Sequence, residues 1–265
     1  MSRANSAQFA PKPKKAKAVA PEVYYAPKPD ISHLITEDDE PVDNVFSEKQ
    51  QRLLTEPLYS SWAGPGANRK FLACANVGVF NIPQNPAIVP DMLLSLDVEA
   101  HPDIWAKEHR SYLVWEFGKS PDVVVEVVSN KVGGEQSGKK VKYAVMKVGY
   151  YVVYDPDLQI SEEALTIYRL SGLSYRRHKS PRLPEIKLGL TLWEGEYEDA
   201  HHIWLRWTDE QGHLIPTGKE LAARAMAEKE HALAGKERER AEKEAALARA
   251  EQLAAQLRAL GHEPL

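Results

Sequence analysis

An acidic residue interrupts a run of valines near the middle of the chain. Glu126 lies in the segment VVVEVV at positions 123–128, which is too apolar for an exposed strand. A carboxylate in such a strand costs several kcal/mol unless it is paired with a cation or binds a metal ion. The sequence therefore predicts a cationic partner for Glu126, and we favour a metal ion over a structural salt bridge.

Two other residues complete a set that could cleave a phosphodiester. Asp91 follows Pro90 and precedes the apolar segment MLLSL, and Lys139 begins a predicted helix. Divalent ions held by carboxylates can activate water and neutralise charge on the phosphate and the leaving group. Mg²⁺ prefers oxygen ligands and retains several waters. We therefore predict that Asp91, Glu126 and the main-chain carbonyl of Val127 bind Mg²⁺, with Mn²⁺ as an alternative ion.

A lysine near the metal would position the attacking water and offset negative charge. Lys139 is the first choice, and Lys140 and Lys142 are alternatives within one helical turn. Each of these signals is weak when taken alone, because Pro-Asp often begins a turn and a lysine on a helix is usually solvated. Two carboxylates and a lysine on one small sheet together predict metal-assisted hydrolysis.

The elements that must position these residues alternate between strands and helices. We predict a helix over 45–58 that ends at Pro57, and a second helix over about 137–148. The predicted strands are at about 71–80, 88–96, 111–117, 121–128, 150–155, 165–170, 173–178, 186–193 and 203–207. Because the 121–128 and 150–155 strands flank a helix, they should be parallel. The fold class is α/β (α+β) with a mixed sheet and added antiparallel strands.

The composition divides the chain into three parts. Residues 1–42 contain six prolines, a lysine cluster and an acidic cluster, which is typical of a disordered tail. Residues 43–216 carry the apolar patterns of a folded domain. Residues 217–260 are rich in Ala, Glu, Lys, Arg and Leu and predict a long charged helix, which is the third part.

The helix over 217–260 should begin with a capping box formed by Thr217 and Glu220. Leu253, Leu257 and Leu260 near its end follow coiled-coil spacing, but charged residues occupy the same stripe further upstream. The sequence is therefore compatible with a single solvated helix and with a coiled coil.

Composition restricts the class of protein only broadly. The 265-residue chain is 43% hydrophobic and 27% charged, and its net charge is −4. No apolar run is long enough for a membrane span, and the N-terminus lacks the apolar segment of a secretory signal. The single cysteine, Cys74, excludes disulfides within the chain. We expect a cytoplasmic protein without a membrane partner.

Several segments resemble a known family. They are VPDMLLSLDV, YLVWEFGKSPDVVVEVVSNKVGGE, SGKKVKYAVMKVGYYVVYDPD, LGLTLWEGEYE and WLRWTDEQGHLIPTG. In order and spacing they are similar to the Uma-two family, whose members are described as putative restriction endonucleases within the PD-(D/E)xK nuclease superfamily. The resemblance covers about residues 42–218 and implies a restriction-endonuclease-like core.

The resemblance also implies roles for individual residues. Asp91 matches the aspartate of the first motif, Glu126 matches the acid of the second, and Lys139, four residues before Tyr143, matches a lysine supplied by the helix. In the superfamily pattern the lysine lies two residues after the acid, where this chain has Val128. The resemblance implies that the lysine has moved to the helix, where Lys139, Lys140 and Lys142 are the candidates.

These observations predict a Mg²⁺-dependent endonuclease that acts on DNA. A homodimer is expected if both strands are cut, and the C-terminal helix is one candidate interface. Two rivals remain. One is a catalytically silent nuclease fold that assembles through the C-terminal helix, and the other is a metal-dependent phosphodiesterase acting on RNA or a nucleotide.

Overall fold

A mixed β-sheet flanked by helices forms the centre of the protein. The computed structural model describes residues 29–34, 44–66, 69–129 and 135–259, so most of the predicted 1–42 tail lies outside the described residues. The helices are α1 (Val45–Ser60), α2 (Val114–Phe117), α3 (Glu135–Met146) and α4 (Gly218–Ala259). The strands are β1 (Phe71–Ala75), β2 (Val79–Phe80), β3 (Met92–Leu96), β4 (Tyr112–Leu113), β5 (Val123–Val127), β6 (Tyr150–Tyr154), β7 (Leu165–Ser171), β8 (Ser174–Arg177), β9 (Arg182–Leu183), β10 (Leu188–Tyr197) and β11 (Ala200–Thr208).

The main sheet has six strands in the order β1-β3-β5-β6-β7-β8. Strands β5 and β6 are parallel, and their other neighbours in this sheet pair antiparallel. The parallel pair that we predicted on either side of a helix is therefore confirmed. A three-stranded antiparallel sheet, β11-β10-β9, and the long C-terminal helix complete the mixed α/β fold, as the sequence predicted.

The two faces of the main sheet pack against different layers. Because side chains alternate along a strand, Val123, Val125 and Val127 face α1 and the three-stranded sheet in one core. Val124 and Val128 face the opposite side and join a second core with α3. Strand β5 is buried on both faces, which explains its nearly continuous run of valines.

Helix α1 departs from its predicted end. It continues through Pro57 to Ser60, and the N–H of Ser61 then donates to the carbonyl of Pro57 at 3.0 Å. Within a helix, proline removes one backbone hydrogen bond and its ring crowds the carbonyl four residues earlier, which is why the sequence predicted an end here. Pro57 is buried, so its packing favours this arrangement.

The predicted strand over 111–117 is mostly wrong. Only Tyr112–Leu113 pairs, in parallel with β2, and Val114–Phe117 forms a single helical turn ending at Gly118. Gly118 adopts φ 71°, a left-handed conformation that commonly ends a helix. The apolar run VWEF carries no signal that distinguishes this turn from a strand.

Helix α4 extends from the domain and is anchored only at its first turn. Thr217 and Glu220 form the predicted capping box, with N–H to side-chain distances of 2.7 and 3.1 Å. Arg206, only 2% exposed, donates to both carboxylate oxygens of Glu220 at 2.9 and 2.6 Å. No residue of Gly218–Ala259 is buried, and the helix is about 63 Å long. Within the described residues, no helix has the length and apolar content to cross a membrane.

We predict that Glu220→Ala lowers the free energy of unfolding by about 2 kcal/mol, because it leaves the buried Arg206 guanidinium without its carboxylate and removes the Glu220 half of the capping box. Urea denaturation measures the change. Glu228→Ala, an exposed acid in the same helix, is the control and should change stability by less than about 0.5 kcal/mol. Equal effects of the two variants would contradict the anchoring role.

Candidate functional site

Strand β5 directs Glu126 toward helix α3. Alternation along the strand puts Glu126 on the same face as Val124 and Val128, and this face is the one that α3 covers. The residue is only 7% exposed. A carboxylate at this depth must be satisfied by neighbouring groups, and α3 supplies them.

Two residues of α3 contact the carboxylate of Glu126. Lys139 Nζ lies 2.9 Å from Oε2, and the hydroxyl of Tyr143 donates to Oε1 at 2.7 Å. Residues four apart lie on one face of a helix, so the spacing of these two brings both to the same acid. Lys139 Nζ also lies 3.5 Å from the carbonyl of Val89, just before the start of β3.

The electrostatics of the site oppose the charge on Glu126. Burial raises the pKa of Glu126 from 4.5 to about 7, and the Asp91 carboxylate acts in the same direction, whereas Lys139 and the Tyr143 hydroxyl lower it. Burial and the neighbouring Glu126 charge also raise the pKa of Tyr143 well above its ordinary value. At neutral pH one nearby lysine therefore does not hold Glu126 fully ionised.

Asp91 lies at the same end of β5 as Glu126, just before the start of β3. Its Oδ2 accepts the N–H of Val127 at 2.7 Å, and its Oδ1 accepts the side-chain amide of Gln51 at 2.8 Å. The β3–β5 ladder ends where Met92 faces Val125. The N–H of Val127 is the next one on that edge of β5, and it is bonded to the Asp91 side chain instead of to a neighbouring strand. This bond fixes Asp91 beside β5.

The structure brings three of the sequence-predicted site residues together, because Asp91, Glu126 and Lys139 surround the end of β5. Val127, the proposed third ligand, touches Asp91 through its N–H. The alternative lysines point elsewhere. Lys140 Nζ lies 3.4 Å from the ring centroid of Tyr168, and Lys142 is exposed.

Sequence reasoning missed Gln51 and Asn76. Gln51 Nε2 donates to Asp91 and also lies 3.2 Å from Oδ1 of Asn76, whose amide donates back to Gln51 at 3.0 Å. A usable signal was present, because the helical spacing puts Gln51 on the buried stripe of α1 with Ser47, Leu54 and Leu58. An amide in an apolar stripe indicates a specific buried partner.

The donor set suits a hard divalent ion. Asp91 and Glu126 offer carboxylate oxygens, and Mg²⁺ is often held by one or two carboxylates with waters completing its shell. The raised pKa of Glu126 is the expected state of a buried acid that a further cation would stabilise. Across the part of the chain that the structure describes, no three His, Cys, Asp or Glu side chains converge as a metal cluster. Two carboxylates with waters would be enough for Mg²⁺, and the carbonyl of Val127 stays a predicted further ligand.

A pocket of about 850 Å³ lies away from these residues, over the outer strand β1. Its lining includes Leu72, Cys74, Trp105, His109 and Phe117, but not Asp91, Glu126 or Lys139. The acidic site therefore lies outside this pocket, and its chemistry is what makes it the candidate functional site.

A family model described as "Putative restriction endonuclease" (Uma2) matches residues 27–195, which include the whole acidic site. The chain belongs to the Uma2 family. This confirms the resemblance that the motifs indicated and supports a nuclease function. The comparison with curated proteins found no match. Among solved structures, the chain is similar to a putative nuclease belonging to DUF820 from Anabaena variabilis ATCC 29413, with 16% identity over 53% of this chain and 71% of that chain and a TM-score of 0.35.

We predict that, without divalent ions, stability falls as pH rises from about 4.5 to about 7. The folded-state pKa of Glu126 is raised, so its contribution is fully present below the unfolded value and is lost through the folded value. Urea denaturation in EDTA measures the free energy of unfolding across this pH range. Glu126→Gln should make its decrease smaller by up to about 3 kcal/mol.

Glu228→Gln, at an exposed acid, is the control for that measurement. It should leave the pH dependence of the wild type unchanged. If Glu126→Gln also leaves it unchanged, Glu126 is ionised in the folded protein across the range, and the electrostatic description above is wrong.

Proposed function

We propose that this protein of the Uma2 family is a Mg²⁺-dependent endonuclease that hydrolyses phosphodiester bonds in DNA. The observation that carries the proposal is the 2.9 Å contact between Lys139 and the buried Glu126, on a strand whose next residue is bonded to Asp91. Two carboxylates and one ammonium group thereby meet at one strand end, which is the arrangement that this hydrolysis requires.

Asp91 and Glu126 would hold the metal ion, with the carbonyl of Val127 as a third protein ligand. When bound, the ion supplies Lewis-acid activation of water and neutralises charge on the phosphate. Mn²⁺ has similar ligand preferences and is an alternative cofactor.

Lys139 would act on the attacking water and on the developing negative charge. The Lys139 side chain is 28% exposed, while that of Glu126 is 9% exposed, so Lys139 connects the buried acid to the solvent-accessible side of the site. From that position it can orient the water and donate a hydrogen bond to a phosphate oxygen. Tyr143 holds the other carboxylate oxygen and keeps Glu126 in one orientation.

DNA is the proposed substrate because the family is described as one of restriction endonucleases. The alternative, a silent nuclease fold used for assembly, would be expected to lose an acid or the lysine. Asp91, Glu126 and Lys139 are all retained, which favours activity.

We predict Mg²⁺- or Mn²⁺-dependent cleavage of supercoiled and linear duplex DNA. Glu126→Ala should abolish it, and Lys139→Ala should slow it by at least about 10²-fold, because an aligned charge-stabilising donor is lost. Product formation on gels measures both.

Lys142→Ala is the matched control, because it removes the same side chain from an exposed position one turn further along α3. It should retain nearly full activity. Cleavage that persists in Glu126→Ala would place the active site elsewhere. A wild type that cuts RNA but no form of DNA would favour the RNA phosphodiesterase, and one that cuts neither would favour the silent fold.

We also propose that two copies of the chain associate through the end of α4, since one site per chain cuts one strand. Leu253 and Leu257 are 60% and 42% exposed and lie on one helical stripe, which is the pattern of a weak coiled-coil contact.

Replacing both leucines by glutamate should convert a dimer into a monomer, because like charges would then oppose each other across the seam. Light scattering gives the mass of each species. The matched double variant Leu221→Glu with Met226→Glu, near the anchored end of α4, should keep the wild-type mass. A wild type that is monomeric at all concentrations tested would contradict the coiled-coil interface.

A further inference from the structure

We infer that a band of cations on the α3 side of the main sheet binds the phosphate backbone of duplex DNA. The band consists of Lys140, Lys147 and Arg177 and leads from the acidic site to the edge strand β8. The inference rests on the proposed function, since it names the surface through which the substrate would be held.

The charge of the chain is unevenly distributed. The whole chain carries 34 Lys and Arg against 38 Asp and Glu, but residues 135–187 carry ten against six. This segment contains α3 and the β7–β8 hairpin. A local positive region in an otherwise acidic protein is the electrostatic footprint expected of a phosphate-binding surface.

Pairing between strands decides which of these cations share a face with the site. Tyr168 faces α3, since Lys140 lies over its ring, and Arg177 is the direct cross-strand partner of Tyr168. Directly opposed residues in an antiparallel pair point to the same side. Arg177 therefore points to the α3 side, whereas its neighbour Arg176 points to the other side.

Lys147 extends the band along the hairpin. It follows α3, and its Nζ lies 3.3 Å from the carbonyl of Gly172, at the turn between β7 and β8. Tyr175 also bonds the end of this helix, through its hydroxyl to the carbonyl of Val148 at 2.8 Å. The helix and the hairpin are thus tied together, and their cations form one surface.

The band has a length that suits several phosphates. Glu126 is opposite Val153, which is opposite Thr166, and β8 is the next strand. Three strand spacings make about 14 Å from Glu126 to β8. One strand of a duplex presents a phosphate every 3.4 Å or so along the axis. Arg177 is opposite Tyr168, two residues along β7 from Thr166. This offset adds about 7 Å along the strand and puts Arg177 about 16 Å from Glu126. About five phosphates would therefore cover the distance from the acidic site to Arg177.

The present partner of Arg177 does not prevent this use. Arg177 forms an ion pair with Glu163, and both side chains are about half exposed, at 47% and 59%. Exposed pairs of this kind contribute little to stability. Arg177 can therefore exchange the Glu163 carboxylate for a phosphate at small cost, and its guanidinium suits phosphate geometry.

The test compares neighbouring arginines on opposite faces of β8. In a Glu126→Gln background, so that DNA is not consumed, Arg177→Gln and Lys140→Gln should each weaken duplex binding. Each should also reduce the slope of log affinity against log salt by about 1, as expected for one lost phosphate contact. Fluorescence anisotropy with a labelled duplex, at about 50 to 200 mM salt with Ca²⁺, gives both quantities.

Arg176→Gln is the matched control, with the same charge change one residue away, and should leave the slope at its value in the background variant. Thermal melting of each variant checks folding. Equal slopes for Arg177→Gln and Arg176→Gln, or no duplex binding by the background variant, would overturn the inference. Cleavage by the wild type tests the catalytic proposal separately. If the wild type cleaves DNA and Arg177→Gln binds normally, only the cation band is rejected. If binding depends on Arg177 and on salt but the wild type does not cleave, only the catalytic proposal is rejected.

Discussion

The burial of one carboxylate is the constraint on which the arrangement of this protein depends. Glu126 lies on a strand that is buried on both faces, and such a position is stable only if cationic or donor groups meet it. Helix α3 carries Lys139 and Tyr143 four residues apart and therefore on one face, and this face must lie against β5. The parallel β5–α3–β6 connection then follows, because the chain has to return over the same face of the sheet.

A second set of polar contacts ties the first helix to the same strand end. Gln51 reaches Asp91 from α1, and Asp91 in turn accepts the N–H of Val127. Three elements that are distant in sequence thereby meet at one carboxylate. The amide of Gln50, next to Gln51, exchanges two hydrogen bonds with the backbone of Leu205 and links α1 to the second sheet. Two adjacent glutamines therefore connect the acidic site to the layer behind it.

The parts of this fold that were predictable from sequence are those with one dominant signal. Strand β5, the helix after it and the capping box at Thr217 each follow from a local pattern, and the structure has all three. The helical turn at Val114–Phe117 and the passage of α1 through Pro57 depend on packing with distant residues, which local propensity does not encode. Among the site residues, Glu126 was conspicuous for its charge. Gln51 was less conspicuous, because its place on the buried stripe of α1 indicates that it has a partner but does not identify Asp91 as that partner.

The charges at the site support the proposal that a divalent ion binds there in addition to the lysine. Asp91 and ionised Glu126 bring two negative charges against the single positive charge of Lys139, and burial together with the Asp91 carboxylate raises the pKa of Glu126 despite that lysine. A divalent ion would change the local sum from −1 to +1. A phosphodiester, with one negative charge, would then restore neutrality. The same site is thus too negative for a phosphate without a metal and attractive to one with it, so metal binding and substrate binding should be mutually reinforcing.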